Sequence, residues 1–118
     1  MPLSPRELEH YVGRAREELV RVAKKRGTVT YSELMSLMGG PGRGHIGQVL
    51  DELNNRESAI GRPPLSALVI VSGTHRPGEG FFALMRSLGR DEADDERLWV
   101  AERDAVWDFD WSNFWRTP

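Results

Sequence analysis

Four glycines and a proline within six residues interrupt the middle of the chain, from Gly39 to Gly44. Neither residue type favours a helix interior, so the chain turns here. Apolar side chains recur at helical spacing on both sides of the break: Leu34, Met35, Leu37 and Met38 before it, and Ile46, Val49, Leu50 and Leu53 after it. The pattern predicts two short helices joined by a turn. Thr30 or Ser32 would cap the first helix. The second would run from about Gly44 to Asn55, where polar residues end it.

Short extended segments flank this helix pair. Thr28-Val29-Thr30 is β-branched and predicts a small strand. The continuous apolar run from Pro63 to Val71 is typical of a buried strand, and the glycine- and proline-containing residues 72–80 predict a turn. Phe81 to Leu84 is either the return strand of a hairpin or the start of a helix that reaches Leu88. Periodicity does not separate these two alternatives. The order strand, helix, turn, helix, strand, turn, strand is that of a winged helix-turn-helix, an α+β fold.

Two further helices are predicted outside residues 27–90, the core of this single-domain chain. A long N-terminal helix begins at Ser4-Pro5-Arg6-Glu7, which combines an N-cap serine, a proline in the first turn and a capping-box glutamate. Gly27 is expected to stop it. The acidic residues Asp91 to Glu96 suit the first turn of a C-terminal helix within an added helical extension, residues 91–118.

All four tryptophans lie in that extension, separated by multiples of four residues: Trp99, Trp107, Trp111 and Trp115. Such spacing places neighbouring rings on one helical face. For Trp99 and Trp107 we favour packing of this aromatic face against the N-terminal helix and the sheet. For Trp111 and Trp115 a contact with a protein partner, or with a second copy of the chain, is an open alternative.

Composition limits the class of function. The chain has 118 residues, 39% of them hydrophobic and 29% charged, which predicts one soluble globular domain. It has no cysteine, which excludes a disulfide, a thiolate nucleophile and Cys-ligated zinc. No apolar run is long enough to cross a membrane, and the polar residues 1–9 do not resemble a signal peptide. We therefore expect a cytoplasmic location and no membrane partner.

Charge is distributed unevenly along a chain whose net charge is −2. Residues 1–90 contain 13 Lys and Arg against 9 Asp and Glu, whereas residues 91–118 contain 3 against 9. A basic body beside an acidic extension can still present a positive face to nucleic acid. This face is less basic than that of a dedicated DNA-binding domain.

The sequence contains no catalytic pattern. His10, His45 and His75 have no metal-ligand spacing. The glycine-rich segment 39–44 lacks the Gly-Lys-Ser/Thr ending of a phosphate-binding loop. The carboxylates of residues 91–96 are typical of a solvated turn. We therefore expect no enzyme activity, no metal and no cofactor.

The start of the second predicted helix has residue types that suit DNA. In a helix-turn-helix this end enters the major groove, and a helix start attracts phosphate through its free N–H groups. Glycines allow the backbone to approach a phosphate, and glutamine can pair with adenine. The residues assigned to the interface are Tyr31 and Ser32 for flanking phosphates, Arg43, Gly44, His45 and Gln48 at the helix start, and Thr74, His75 and Arg76 in a wing over the minor groove.

Three short segments, within a region that spans about half of the chain, are similar to a family pattern: Gly27-Thr28-Val29-Thr30-Tyr31, Gly44-His45-Ile46-Gly47 and Pro64-Leu65-Ser66-Ala67-Leu68-Val69. They resemble, in this order, the Gly-x-Val-x-Thr-Tyr, Arg-Ala-Val-Gly and Pro-Cys-His-Arg-Val-Val segments of a C-terminal winged-helix domain. That domain belongs to the alkylguanine-DNA alkyltransferases and the alkyltransferase-like proteins. The resemblance implies a winged-helix scaffold with DNA as its ligand.

The chain departs from this family at the reactive positions. Leu65 replaces the nucleophilic cysteine, and Ser66 replaces its activating histidine. Gly44 occupies the place of the family's base-displacing arginine, with Arg43 one residue earlier. Alkyl transfer needs a thiolate, so that activity is excluded.

The leading hypothesis is thus a small non-catalytic protein that binds double-stranded DNA. The alternative is a protein-interaction adaptor on the same scaffold, which uses the aromatic and acidic C-terminus to contact a protein partner or to form a homodimer. A third and more distant alternative is a subunit of a larger nuclease or repair assembly.

Overall fold

The structure is a computed structural model that describes residues 2–112. These residues form five α-helices and two short strands: α1 (Pro5–Lys24), β1 (Val29–Thr30), α2 (Tyr31–Met38), α3 (Arg43–Ala59), β2 (Val69–Ile70), α4 (Glu79–Ser87) and α5 (Asp95–Asp108). A 3-10 turn (Leu65–Leu68) precedes β2. The two strands pair in parallel, Val29 with Val69 and Thr30 with Ile70. Helices around one small parallel sheet make the fold α+β.

Local cap signals place the ends of α1 close to their predicted positions. The Ser4 hydroxyl accepts a hydrogen bond from the Glu7 amide at 3.1 Å, and the Glu7 carboxylate accepts one from the Ser4 amide at 2.9 Å. At the other end the Gly27 amide donates to the Val22 carbonyl at 3.0 Å. The residue with left-handed backbone is Arg26, at φ 52°, rather than the glycine.

A tight turn joins α2 to α3. The Thr30 hydroxyl accepts from the Glu33 amide at 3.1 Å, which decides between the two predicted caps of α2. The helix ends at Met38, and the φ of 77° at the next residue, Gly39, favours glycine. A Cβ at Gly40 would lie 2.8 Å from the Tyr11 hydroxyl, so the turn crosses α1 too closely for a side chain at this position.

Helix α3 extends four residues beyond its predicted end at Asn55. Two of the polar residues that suggested an end, Asn54 and Glu57, lie on its buried side and have partners there. The Asn54 amide donates to the Ser66 hydroxyl, and the Glu57 carboxylate lies 2.7 Å from Nε of Arg16 on α1. Both Asn54 and Glu57 are 2% exposed. These contacts with distant parts of the chain stabilise the last turn of the helix, although its local sequence is polar.

The apolar run from Pro63 to Val71 is not the long strand that the sequence predicted. The 3-10 turn occupies its first part, and only Val69–Ile70 pairs with β1. Because β1 has two residues, a longer strand would have no partner. The carbonyl of Ala67 instead accepts a hydrogen bond from the indole N–H of Trp99 at 2.8 Å. The prediction was wrong in the type of element and right in its burial, since the 3-10 turn and β2 are both buried.

No return strand of a hairpin follows within residues 2–112. Phe81 to Leu84 lies in α4, so the helical alternative is confirmed. The turn before it is closed by one antiparallel bridge, in which the Val71 amide donates to the Arg76 carbonyl at 2.8 Å. The predicted wing is therefore reduced to one short turn, residues 71–76.

The tryptophan spacing misplaced the end of the last helix. Asp94 caps α5 by accepting a hydrogen bond from a first-turn amide at 3.0 Å, and the helix ends at Asp108. Trp111 thus lies beyond the helix rather than on its face. It is 3% exposed, and its indole N–H donates to the Val106 carbonyl at 2.8 Å. Its ring presents no surface to a partner, which corrects the partner-binding assignment. Trp115 lies outside the described residues.

The core lies where α1, α3 and the 3-10 turn meet, and α5 closes one side of it. Its fully buried side chains include Leu19, Leu34, Leu53, Leu65, Leu68 and Met85. Trp107 is half-buried and donates to the Gly27 carbonyl at 3.0 Å, which attaches α5 to the end of α1. None of the helices in residues 2–112 has both the length and the apolarity that crossing a bilayer requires.

Candidate nucleic-acid interface

The N-terminal ends of α2 and α3 border one cleft of about 310 Å³. The side chains around it include Thr30, Tyr31, Ser32, Arg43, Ile46 and Ser72. The short turn from Gly39 to Gly42 returns the chain so that the two helix starts lie close together. The structure thereby brings together Tyr31, Ser32 and Arg43, as the sequence predicted.

The start of α3 differs from those of α1, α2 and α5 because it has no side-chain cap. Its N-cap is Gly42, whose carbonyl accepts from the Ile46 amide at 3.1 Å, and in the described part of the chain no side chain accepts from the first-turn amides. An uncapped start presents N–H groups and the positive end of the helix dipole. Arg43, the first residue of α3, is exposed and forms no ion pair within residues 2–112. The charge of its side chain and that of the helix end therefore add at one place.

Glycines leave the first turns of α3 bare. A Cβ built at Gly42, Gly44 or Gly47 would meet no atom within 4 Å. A glycine inside a helix costs up to about 1 kcal/mol relative to alanine, and no packing among residues 2–112 requires it at Gly44 or Gly47. These two glycines are three residues apart and share one face, with the exposed Gln48 beside them. An outside partner can approach the backbone closely along this face.

His45 lies on the other side of the α3 start. It is half-buried and borders a different pocket, which Glu7 and Tyr11 of α1 also line. The pKa of Glu7 is lowered first by its hydrogen bonds with Ser4 and then by the nearby His45. The structure therefore places His45 outside the cleft, and its predicted contact with bases stays a prediction.

Arg76 also departs from its predicted place. Its guanidinium lies 3.5 Å from the Asp95 carboxylate and 3.8 Å from that of Glu96, at the start of α5. It also lies 5.2 Å from the centre of the Phe82 ring. Arg76 is thus held against α4 and α5 rather than extended from the turn as a wing residue.

The other assigned residues are at least partly accessible. Thr74 and His75 are exposed at the tip of the turn, where His75 has left-handed backbone at φ 57°. Ser32 is exposed on the first turn of α2. Tyr31 is half-buried, and its hydroxyl accepts from the Gly78 amide at 3.3 Å, which joins the start of α2 to the start of α4.

The positions that match the reactive pair of the alkyltransferases are buried. Leu65 is 0% exposed, and Ser66 is 4% exposed with its hydroxyl bonded to Asn54. Both side chains pack the core instead of lining an accessible site. Within residues 2–112 no group of three His, Asp or Glu side chains is placed to hold a metal ion.

Sequence reasoning missed several side chains around this region. Ile46 and Ser72 border the cleft because two segments that are distant in sequence meet there, and no local sequence pattern indicates this contact. Asp95 and Glu96 were assigned to a solvated turn, and only their charge, opposite to that of Arg76, hinted at the contact. Comparison with known protein families, curated proteins and solved structures finds no match to the chain, so the site is interpreted from its own residues.

Proposed function

We propose that this chain is a small non-catalytic protein that binds double-stranded DNA through the N-terminal ends of α2 and α3. The observation on which the proposal depends is the uncapped, glycine-bare start of α3 with Arg43 exposed on it. A phosphate placed there would accept hydrogen bonds from first-turn amides and would be attracted by the charge of Arg43.

The arrangement of the first three helices supports a helix-turn-helix, and with it the winged-helix scaffold. A four-residue turn joins α2 to α3, and α1 packs against both. In such a unit the second helix reads the major groove while the first crosses the phosphate backbone. We assign Tyr31 and Ser32 to the flanking phosphate. Gln48, one turn into α3 and exposed, is assigned to base edges and prefers adenine.

The proposed interface has few positive charges. The turn at residues 71–76 has a single bridge, and Arg76 faces carboxylates. Phosphate contacts therefore come mainly from the starts of α2 and α3. Each phosphate that a lysine or arginine neutralises contributes about −0.9 to the slope of log affinity against log salt. Because Arg43 is the cation assigned to a phosphate, and Tyr31 and Ser32 are neutral, we expect a total slope of roughly −1, with affinity that falls as salt rises.

Fluorescence anisotropy with a labelled duplex at low and moderate salt tests the proposal. Arg43→Ala removes one phosphate contact, so we expect affinity to fall about fivefold or more and the magnitude of the salt slope to decrease by about 0.9. Arg56→Ala is the matched control. It removes the same charge about 20 Å further along α3, where Arg56 forms surface pairs with Glu9 and Glu52. We expect this control to bind as the parent does.

Equal losses in the two variants would indicate attraction to overall charge and would contradict the assigned face. No binding by the parent at micromolar protein in low salt would contradict DNA binding and favour the adaptor alternative. The adaptor has lost part of its support, because Trp111 is buried. The exposed carboxylates around the start of α5 remain available to it.

A further inference from the structure

We propose that Asp95 and Glu96 hold Arg76 away from DNA and so limit the affinity of the interface. This inference rests on the proposed function. It assigns to the acidic start of α5 a role in setting how tightly the neighbouring face binds phosphate.

The side chain of Arg76 is confined on three sides. The two carboxylates lie 3.5 Å and 3.8 Å from its guanidinium nitrogens, and the Phe82 ring covers it at 5.2 Å. The side chains of Arg76, Asp95 and Glu96 are 35%, 42% and 60% exposed. Ion pairs with this much solvent contact are weak. A phosphate offers the guanidinium a charged acceptor of matching geometry and can replace the carboxylates.

A second arginine holds one of the two carboxylates, that of Asp95, in place. Nη2 of Arg86 on α4 lies 2.6 Å from Asp95 Oδ1 and donates to the carbonyls of Glu92 and Ala93 at 3.1 and 3.2 Å. The start of α5 is therefore attached to α4 independently of Arg76. An asparagine at position 95 would leave both carbonyl contacts of Arg86 intact.

The turn that contains Arg76 lies next to the proposed interface. Val71 borders both the cleft that contains Arg43 and the pocket that contains Arg76 and Asp95. Backbone bonds between Val71 and Arg76, and between His75 and Val71, close the turn at 2.8 Å each. The guanidinium can therefore leave the carboxylates without opening the turn, and a released Arg76 lies beside the phosphates that contact the α3 start.

The double variant Asp95→Asn/Glu96→Gln tests the inference in the anisotropy assay. It neutralises both carboxylates that pair with Arg76 and so removes two negative charges beside the interface. We expect about three- to tenfold tighter binding at low salt, and a salt slope steeper by about 0.9 because one phosphate contact is added. Adding Arg76→Gln to the double variant should abolish the gain. Arg76→Gln alone should leave the parent affinity within about twofold, because a held arginine contributes little.

The matched control is Asp104→Asn/Asp108→Asn. It makes the same charge change on the other half of α5, where the two carboxylates pair with Arg103 and Arg26. Thermal unfolding of both double variants verifies that they are folded at the assay temperature. We expect the control to bind within about twofold of the parent, since its carboxylates do not face the cleft.

The outcomes separate this inference from the proposed function. An equal gain in the control, or a gain that survives Arg76→Gln, would overturn the inference, because general charge or simple repulsion would then explain it. A parent that binds DNA and a double variant that binds no better would overturn the inference alone. If neither the parent nor the double variant binds, the proposed function itself is wrong.

Discussion

Alanine at Gly44 and Gly47 separates what these glycines do for the fold from what they do for binding. A Cβ at either position meets no atom within 4 Å, so Gly44→Ala/Gly47→Ala adds two methyl groups without a clash. Alanine is more favourable than glycine by about 0.8–1.0 kcal/mol inside a helix. Gly47 is such an interior position, and Gly44 in the first turn contributes less. We therefore expect the free energy of unfolding to rise by about 1 kcal/mol.

That gain is measurable as a thermal shift. An unfolding entropy of about 2.1 cal/mol/K per residue gives roughly 0.25 kcal/mol/K for 118 residues, so Tm should rise by about 4 °C. Gly13→Ala on α1 is the matched control. Gly13 is also an exposed interior helix position with no atom within 4 Å of its Cβ, and the same rise is expected.

DNA affinity should distinguish the two variants. In the double variant, methyl groups stand between the α3 backbone and the phosphate. Loss of one charge-assisted hydrogen bond of about 1.5 kcal/mol weakens binding about tenfold, whereas Gly13→Ala should bind as the parent does. Calorimetry and anisotropy titration measure the two quantities. A double variant that is more stable and binds with full affinity would refute the assignment of this bare face. A double variant that is less stable would refute the description of open space at these positions.

Two further variants test the packing and the capping of the helices. Glu57→Gln leaves Arg16 without its carboxylate, and we expect urea denaturation to show a loss of about 2 kcal/mol. This loss is smaller than the full cost of breaking a buried ion pair, because burial raises the pKa of Glu57 even beside Arg16 and Arg62. A loss near zero would mean that this pair does not hold α1 to α3. The pKa of Glu33 lies below its ordinary value of 4.5, since Thr30 bonds the carboxylate through its backbone amide first and its side chain second. The stability from this charge is present above pH 4.5 and is lost as pH falls through the lowered pKa. The Tm difference between the parent and Glu33→Gln should therefore shrink on acidification, and a difference independent of pH would contradict the capping role of the charge.

The sequence predicts best those elements whose cause is local. The starts of α1 and α2 follow from reciprocal hydrogen bonds between a hydroxyl and a glutamate three residues later, which four residues are enough to specify. The 3-10 turn at Leu65–Leu68 has no such signature. An apolar run predicts that a segment is buried but not which backbone geometry it adopts. The geometry here depends on Asn54 and Trp99 from other parts of the chain.

In the candidate site, too, the sequence predicts the positions of some residues and not of others. Tyr31, Ser32 and Arg43 could be placed because each lies at a helix start next to a recognisable turn. Arg76 could not, since its partners Asp95 and Glu96 follow 19 and 20 residues later and come near only when α5 docks against α4. The sequence gives the charge of each residue but not which opposite charge it meets.

The two indole hydrogen bonds of α5 have a practical consequence. The indole N–H of Trp99 donates to the Ala67 carbonyl, and that of Trp107 donates to the Gly27 carbonyl. Both rings therefore lie where α5 packs against the rest of the core. All four tryptophans of the chain lie between positions 99 and 115. Tryptophan emission therefore originates entirely from this stretch of the chain. Excitation at the indole band gives a label-free optical signal of whether the last helix is seated, separate from any event at the starts of α2 and α3.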